Sequence, residues 1–176
     1  MIDYYDNFLE EHVAQLIDMQ IREVSWKYDY DSKPNGTQKH WHVFCGHNIN
    51  VIPDEYEFII PIWEKIKNVI NVELERVYLN AHTFGIEPHI HTDDGDITMI
   101  YYPRLDWKIE WGGGTAIYND KVTEIDTHLV NKGNRLIMFD AHLPHQAQHT
   151  KVYHQRKTEL KWMRYGYEKT IHFIKI

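Results

Sequence analysis

The sequence predicts a mainly β fold, a sandwich or jelly roll, with helices from its N-terminal part packed on the outside of one sheet. Two observations carry this. Beyond residue 72 the chain breaks into eight short β-like runs separated by Gly, Pro, Asn and Asp, all within about 100 residues. Before residue 72, two stretches place apolar residues at helical spacing instead. At 176 residues, 43% hydrophobic and 14% aromatic, the chain has enough apolar material for one domain with a real core. It has no internal repeat, linker or low-complexity segment. Residues 1–176 therefore read as a single domain, with 1–72 as helical support and flap and 73–176 as the jelly-roll core.

The first element is an amphipathic helix over residues 7–22, with Phe8, Val13, Leu16 and Ile17 on its apolar side and Asp6 or Asn7 as N-cap. A short strand follows around Val24–Tyr28. Residues 30–50 are irregular, because Asp31-Ser32-Lys33-Pro34-Asn35-Gly36 is dense in turn formers. Within them, His40-Trp41-His42-Val43-Phe44-Cys45-Gly46-His47 admits three readings. It is a zinc site, at a spacing that matches no usual zinc pattern; a strand or loop with its histidines outward and its aromatics inward; or a flap whose aromatics touch substrate. Pro53-Asp54-Glu55 opens a second helix running to about Asn71, irregular at first because of Pro61. The β-like runs are Glu73–Ala81, Ile97–Tyr102, Thr115–Tyr118, Glu124–Val130, Arg135–Phe139, Gln146–His149, Lys157–Tyr165 and Thr170–Ile174.

Composition narrows the function. A net charge of −7 argues against sequence-independent nucleic-acid binding, which needs a basic surface. The one cysteine, Cys45, permits no intramolecular disulfide and suits a reducing compartment. The N-terminus has neither a basic nor an apolar leader region, and no run reaches the length of a membrane span. A soluble, cytoplasmic protein is expected. Thirteen histidines make chance pairs common, so spacing has to decide between them.

The spacing that matters is His91-Thr92-Asp93. In an extended backbone, residues i and i+2 share a face, so His91 and Asp93 can bind one ion together while Thr92 points away. An EF-hand is set aside, since no Glu closes a twelve-residue loop. A third ligand is offered by His145, 54 residues on, with His142 as competitor. Two histidines and one carboxylate form the facial triad that leaves open positions on non-haem Fe(II). Arg156 opens a run in which Arg156, Thr158, Leu160 and Trp162 share a face, and a buried guanidinium there requires an anion. Tyr102 shares the face of Thr98 and Ile100, where its hydroxyl could bond the same carboxylate. Tyr78, Asn80 and His82 share one face of the preceding strand and are candidates to line a pocket, together with Trp162. Trp111-Gly112-Gly113-Gly114 has no following Lys-Ser/Thr or helix, so it is a tight bend rather than a phosphate loop.

Taken in order, these residues resemble the prolyl-4-hydroxylase-like Fe(II)/2-oxoglutarate dioxygenases. The matching parts are His91-Thr92-Asp93, the strand Thr98–Tyr102 with Asp106-Trp107, Gly112-Gly113-Gly114, the strand Leu136–Phe139, Pro144-His145, and Arg156 with Trp162, over roughly residues 78–165. The resemblance implies a double-stranded β-helix, the cupin-like jelly roll. It implies Fe(II) held by His91, Asp93 and His145, 2-oxoglutarate held by Arg156, Tyr102 and Thr158, and O2 as the oxidant. The substrate would be a prolyl residue, an amino acid or another small molecule, hydroxylated with succinate and CO2 as co-products. The interval from His145 to Arg156, 11 residues, is longer than the family's usual ten or so, which suggests a bulged turn. Related halogenases carry a small residue in place of the carboxylate; Asp93 therefore favours hydroxylation. Two other classes compete: a non-catalytic cupin-like protein binding a metal or small ligand, and a zinc hydrolase with Glu87 or Asp94 as general base.

Overall fold

The computed structural model describes residues 1–33, 36–47, 49, 52–151 and 168–175, the last segment with side chains at 170–172. The predicted run Lys157–Tyr165 lies outside the described residues, as do Arg156, Thr158 and Trp162. The elements are β1 (Ile2–Tyr5), α1 (Glu11–Glu23), β2 (Lys27–Tyr30), β3 (His40–Gly46), a 3-10 helix (Asp54–Ile59) running into α2 (Ile60–Val69), β4 (Leu74–His82), β5 (Ile97–Tyr102), a short 3-10 turn (Ile109–Trp111), β6 (Thr115–Tyr118), β7 (Ile125–Leu129), β8 (Arg135–Asp140), β9 (His145–Ala147) and β10 (Glu168–Lys175). They form a seven-stranded sheet in the order β1-β8-β5-β10-β4-β3-β2 and a three-stranded sheet in the order β7-β6-β9. Every strand pairing is antiparallel. This is the jelly-roll arrangement the runs of short strands predict, with both helices on one face of the large sheet.

Alternation along the strands builds two separate cores. Met99, Tyr101, Leu136, Met138, Val77, Leu79 and Ile171 face the helices and pack with Ala14, Ile17 and Ile21 of α1 and Ile62, Trp63 and Ile66 of α2. The intervening residues Ile100, Tyr102, Ile137 and Phe139 face the small sheet and meet Ile117 and Leu129. Because successive side chains in a strand point to opposite faces, the apolar runs of β5 and β8 are the signature of strands covered on both sides. No helix of the described residues is long and apolar enough to cross a membrane.

Three expectations are corrected. The N-terminal β1 was not anticipated; it adds to the edge of the large sheet through the register Ile2↔Phe139 to Tyr5↔Leu136. Its side chains are mostly exposed, so it carries no hydrophobic alternation to read. Helix α1 starts at Glu11, and neither Asp6 nor Asn7 caps it. Asp6 is instead engaged by Arg135, Nε to Oδ1 at 2.6 Å, and by Lys132 at 2.8 Å. A long-range ion pair has taken the local cap. The strand expected at 24–28 is shifted to Lys27–Tyr30.

The entry to α1 is held by one side chain from the far end of the chain. Asn134, buried, accepts the Leu9 N–H at 2.8 Å and donates to the Leu9 carbonyl at 2.9 Å. The Tyr101 hydroxyl donates to the same Asn134 oxygen at 3.0 Å. Its backbone sits at φ 58, a left-handed conformation that Asn tolerates well. Asn134→Ala strips partners from three buried polar groups and places Ala in that conformation. A loss of about 2–4 kcal/mol is expected, read as a lower urea midpoint at unchanged m-value.

Candidate metal centre

The centre forms where the two sheets meet. His91 lies beyond β4, outside any regular strand, and pairs directly with His145 at the start of β9. Each donates its backbone N–H to the other's carbonyl, at 3.0 and 2.8 Å. Two residues on, and out of register with that pair, the Asp93 N–H donates to the Ala141 carbonyl at 2.8 Å. The extended backbone puts Asp93, buried, on the same side as His91 and leaves Thr92 exposed, as the i, i+2 argument requires.

The three side chains converge. One ligating atom from each of His91, Asp93 and His145 lies within 4.8 Å of the others, the metal-competent cluster of the described residues. His145 Nε2 is 3.4 Å from Asp93 Oδ2. His91 Nδ1 lies 2.9 Å from the His89 carbonyl, and His145 Nδ1 lies 2.9 Å from the Leu143 carbonyl. A carbonyl only accepts, so both Nδ1 atoms carry a proton, which makes Nε2 the atom each imidazole turns to an ion. The Thr98 hydroxyl donates to Asp93 Oδ2, leaving the second carboxylate oxygen less constrained. The Phe139 and His145 rings pack edge to face, centroids 4.8 Å apart. The competitor His142 sits in a turn with its side chain 72% exposed, bonded to Asp140.

Electrostatics suit a cation. Burial, the largest single influence on Asp93, raises its carboxyl; the hydrogen bonds and charges of His145, Thr98 and His91 together outweigh it and hold the group well below the ordinary carboxylate range. Burial, aided by His145, lowers His91 and keeps it neutral. Neutral imidazoles and an ionised carboxylate are the forms that bind metal.

The wall beside the triad comes from β3, β4 and β10. Asn80 Oδ1 accepts from His42 Nδ1 at 2.8 Å, and Asn80 Nδ2 lies 3.5 Å from His172 Nε2. The Thr170 hydroxyl is 2.7 Å from that same nitrogen. Tyr78 stacks on His172, and Tyr30 on His42. The expected pocket residues Tyr78 and Asn80 therefore stand on this wall, and Asn80 lines the cavity with Ser32, His82, His91, His145 and His172. Tyr102, fully buried, shares a hydrogen bond of 2.8 Å with Thr115, itself on the cavity lining. No Lys or Arg lines the cavity among the described residues. A larger cavity of about 550 Å³ lies between the end of α1 and the 3-10 helix, on the far side of the large sheet from the triad.

β3 is a strand, with the opposite facing to the one the second of the three readings gave it. His40 and His42 turn toward the site, while Val43 and Cys45 enter the helix-side core and Phe44 is 47% exposed. Cys45 thus points away from His40 and His42, which removes the zinc reading of this strand. Of the proposed bases, Glu87 is taken up by His149 at 2.6 Å, and Asp94 is 88% exposed, 3.8 Å from Arg76. Thr98, Thr170 and His172 were not singled out as site residues from the sequence; the period-two pattern through Ile100 and through Thr170–Ile174 was the available signal. The glycine run makes the close approach expected of it: a Cβ on Gly114 would lie 2.5 Å from the Leu129 carbonyl oxygen. Trp107 pins this turn by donating to the Gly112 carbonyl at 3.0 Å.

A family model described as the 2OG-Fe(II) oxygenase superfamily matches residues 75–164. The chain belongs to this superfamily. As a 2OG-Fe(II) oxygenase it is a 2-oxoglutarate-dependent dioxygenase, with Fe(II), 2-oxoglutarate and O2 as its cofactor and cosubstrates. Its fold is shared with a prolyl hydroxylase from Trichoplax adhaerens, solved with a hypoxia inducible factor peptide fragment: TM-score 0.71, 13% identity, 99% of this chain and 83% of that one. It is shared also with a prolyl-4-hydroxylase from Pseudomonas putida (TM-score 0.67, 10% identity, 99% and 91% coverage). A third is the viral collagen prolyl hydroxylase of Paramecium Bursaria Chlorella virus-1, solved as a 2OG complex (TM-score 0.60, 16% identity, 99% and 95% coverage). No curated protein matches the oxygenase in sequence.

The Thr98 hydroxyl aims one carboxylate oxygen of Asp93. Thr98→Val keeps the shape and removes that hydrogen bond. Fe(II) affinity, measured anaerobically by chelator competition, is expected to fall about 10–100-fold with the fold retained.

Proposed function

We propose that this oxygenase is a hydroxylase whose Fe(II) is held by His91, Asp93 and His145. The observation that supports it is the convergence of one carboxylate and two imidazoles, each anchored to a backbone carbonyl, in a chain of this superfamily. Three protein ligands leave positions open for a chelating cosubstrate and O2. Bound iron supplies oxidative decarboxylation of 2-oxoglutarate to succinate and CO2, coupled to hydroxylation of the substrate.

The protein's part is to place and to shield. Thr98 orients Asp93, the His89 and Leu143 carbonyls fix the two imidazole tautomers, and Phe139 backs His145. Arg156 and Thr158, with Tyr102, are assigned to the far carboxylate of 2-oxoglutarate; a guanidinium in a water-poor pocket orients such a group by two parallel hydrogen bonds. Tyr78, Asn80 and Trp162 are assigned to the substrate side. The substrate is a prolyl residue in a peptide, an amino acid or another small molecule; the peptide carried by the Trichoplax adhaerens hydroxylase favours the first. The chain acts as one domain, and its single buried cysteine fits a reducing, cytoplasmic setting.

An anaerobic titration with Fe(II) and then 2-oxoglutarate tests this. A saturable visible charge-transfer band is expected, lost in His91→Ala and Asp93→Ala. In Arg156→Ala the band should need at least about tenfold more 2-oxoglutarate, the scale of a lost charged hydrogen bond, with iron uptake unchanged. Stoichiometric iron uptake without a band points to a cupin-like binding protein, and an unchanged requirement in Arg156→Ala removes the role given to that residue.

A further inference from the structure

We propose that Arg76 selects substrates that carry a carboxylate, holding that group on the open face of the large sheet beside the centre. This rests on the reading of His91, Asp93 and His145 as the iron centre, which makes that face the approach to it. Arg76 stands on β4, where residues two apart share a face. Arg76, Tyr78, Asn80 and His82 therefore form one row. Asn80 and His82, at its inner end, line the cavity at the triad, and Arg76 lies at the outer end, beyond that lining. Asp94, next in the chain to Asp93, approaches Arg76 there, Oδ2 to Nη1 at 3.8 Å. Consecutive Cα atoms are only a few ångströms apart, so the guanidinium lies on the order of 10 Å from Asp93.

Arg76 differs from the other described arginines in what holds it. Arg22 is bonded to Asp18 and Asp106, Arg104 to Asp106, and Arg135 to Asp6. Among the described residues the Arg76 guanidinium has no hydrogen-bonded acceptor: its contact with Asp94 is too long for a hydrogen bond. Asp94 is 88% exposed, and a loose pair of that kind contributes little. The Arg76 side chain is itself only 26% exposed, so it has given up hydration without gaining an acceptor in return.

The surroundings are aromatic and open. Tyr30 and Phe44 are exposed; Tyr30 stacks on His42, and Phe44 stands opposite Tyr78 in the β3–β4 register. Tyr78 links the arginine to the centre. Its hydroxyl is raised chiefly by burial, then by the charge of Asp93, and is lowered by Arg76, so it senses both groups. A face of Tyr, Phe and Arg is the composition that protein interfaces favour. A guanidinium donates five N–H groups and accepts nothing, so the partner it lacks is an acceptor. A carboxylate meets it with two parallel hydrogen bonds. Asp94 alongside disfavours a dianionic phosphate relative to a singly charged carboxylate. That carboxylate has two sources, an acidic side chain of a peptide or the terminal group of a single amino acid.

The test follows the Arg76 Nε–H signal by ¹⁵N–¹H NMR in the Zn(II)-loaded, 2-oxoglutarate-bound protein. The probes are two pairs matched in size: N-acetyl-Pro-Glu-amide against N-acetyl-Pro-Gln-amide, and N-acetylproline against N-acetylprolinamide. In at least one pair the carboxylate is expected to shift Arg76 saturably and to bind at least about tenfold tighter than its amide, the scale of a charged hydrogen bond. Saturation in the first pair assigns an acidic side chain, and in the second a terminal carboxylate. Arg76→Gln, followed through the Tyr78 ring signals, should lose the discrimination and keep the 2-oxoglutarate requirement of the charge-transfer band. Asp94→Asn should tighten the carboxylate probe. The proposal is overturned if no probe saturates, if carboxylate and amide bind alike, or if inorganic phosphate binds as tightly as the carboxylate. It is overturned too if 2-oxoglutarate itself saturates the Arg76 shift, if Arg76→Gln raises the 2-oxoglutarate requirement, or if Asp94→Asn weakens the probe as Arg76→Gln does, which would make the two a structural pair. The wild-type titration decides the first points even if a variant does not fold. Failure of Zn(II) and 2-oxoglutarate to move the His91 and His145 signals is a separate result, and counts against the metal centre instead.

Discussion

Two backbone hydrogen bonds between His91 and His145 set the geometry of the centre. These residues are far apart in the chain, yet each gives its N–H to the other's carbonyl, at 3.0 and 2.8 Å. In an antiparallel pair, residues that exchange both hydrogen bonds stand directly opposite with side chains on one face. The convergence of the two imidazoles is therefore enforced by the main chain, before any ion arrives. The Asp93 N–H then bonds the Ala141 carbonyl, two residues beyond the register of that isolated pair. The bridge also joins the sheets. His145 begins β9 of the small sheet, while the segment after Asp93 leads into β5 of the large one. Each histidine then needs one further restraint, and both receive the same one: Nδ1 against the carbonyl two residues back.

The large sheet separates stability from chemistry. Its helix-side face contributes to a buried cluster of twenty described residues, Ile17, Ile62 and Trp63 among them. The interior cluster facing the small sheet holds six. Burying an Ile or Leu contributes about 1.5–3 kcal/mol, so most of the apolar stabilisation lies behind the sheet. The interior face is left free to carry polar groups that would weaken a core. A rigid, helix-backed sheet is also the support that a preorganised site requires.

Much of this was legible because the chemistry of strands is periodic. Ile97–Tyr102 and Thr115–Tyr118 form as read, and His91-Thr92-Asp93 places two candidate ligands on one face because extended backbone has a period of two. What was hidden depends on distant partners. β1 has exposed side chains and exists through pairing with β8. Asp6 looks like a helix cap until Arg135, far along the chain, takes it. In β3 the reading with histidines outward and aromatics inward fails because Trp41 and Phe44 have opposite parity. Val43 and Cys45 share the parity of Trp41 and claim the helix-side core, which turns His40 and His42 toward the site. Thr98 was visible as a strand residue, but its role needs the return of Asp93 to within hydrogen-bond reach.

The histidines that seemed too numerous to interpret have a common electrostatic consequence. His42, His82 and His172 are all shifted down, burial being the largest cause in each case, and so stay neutral at physiological pH. They give the cavity wall hydrogen-bonding capacity without adding positive charge. Asp93 is the buried carboxylate at the triad, and the other two ligating groups are imidazoles. A divalent ion held by one carboxylate and two neutral imidazoles retains one net positive charge. In a site shielded from solvent that charge is weakly screened, so it favours an anionic chelator over water. A wall of carboxylates would cancel the attraction, and a wall of lysines would divert the anion from the metal. Neutral imidazoles do neither, which leaves the ion as the strongest local attractor for the cosubstrate's reacting end.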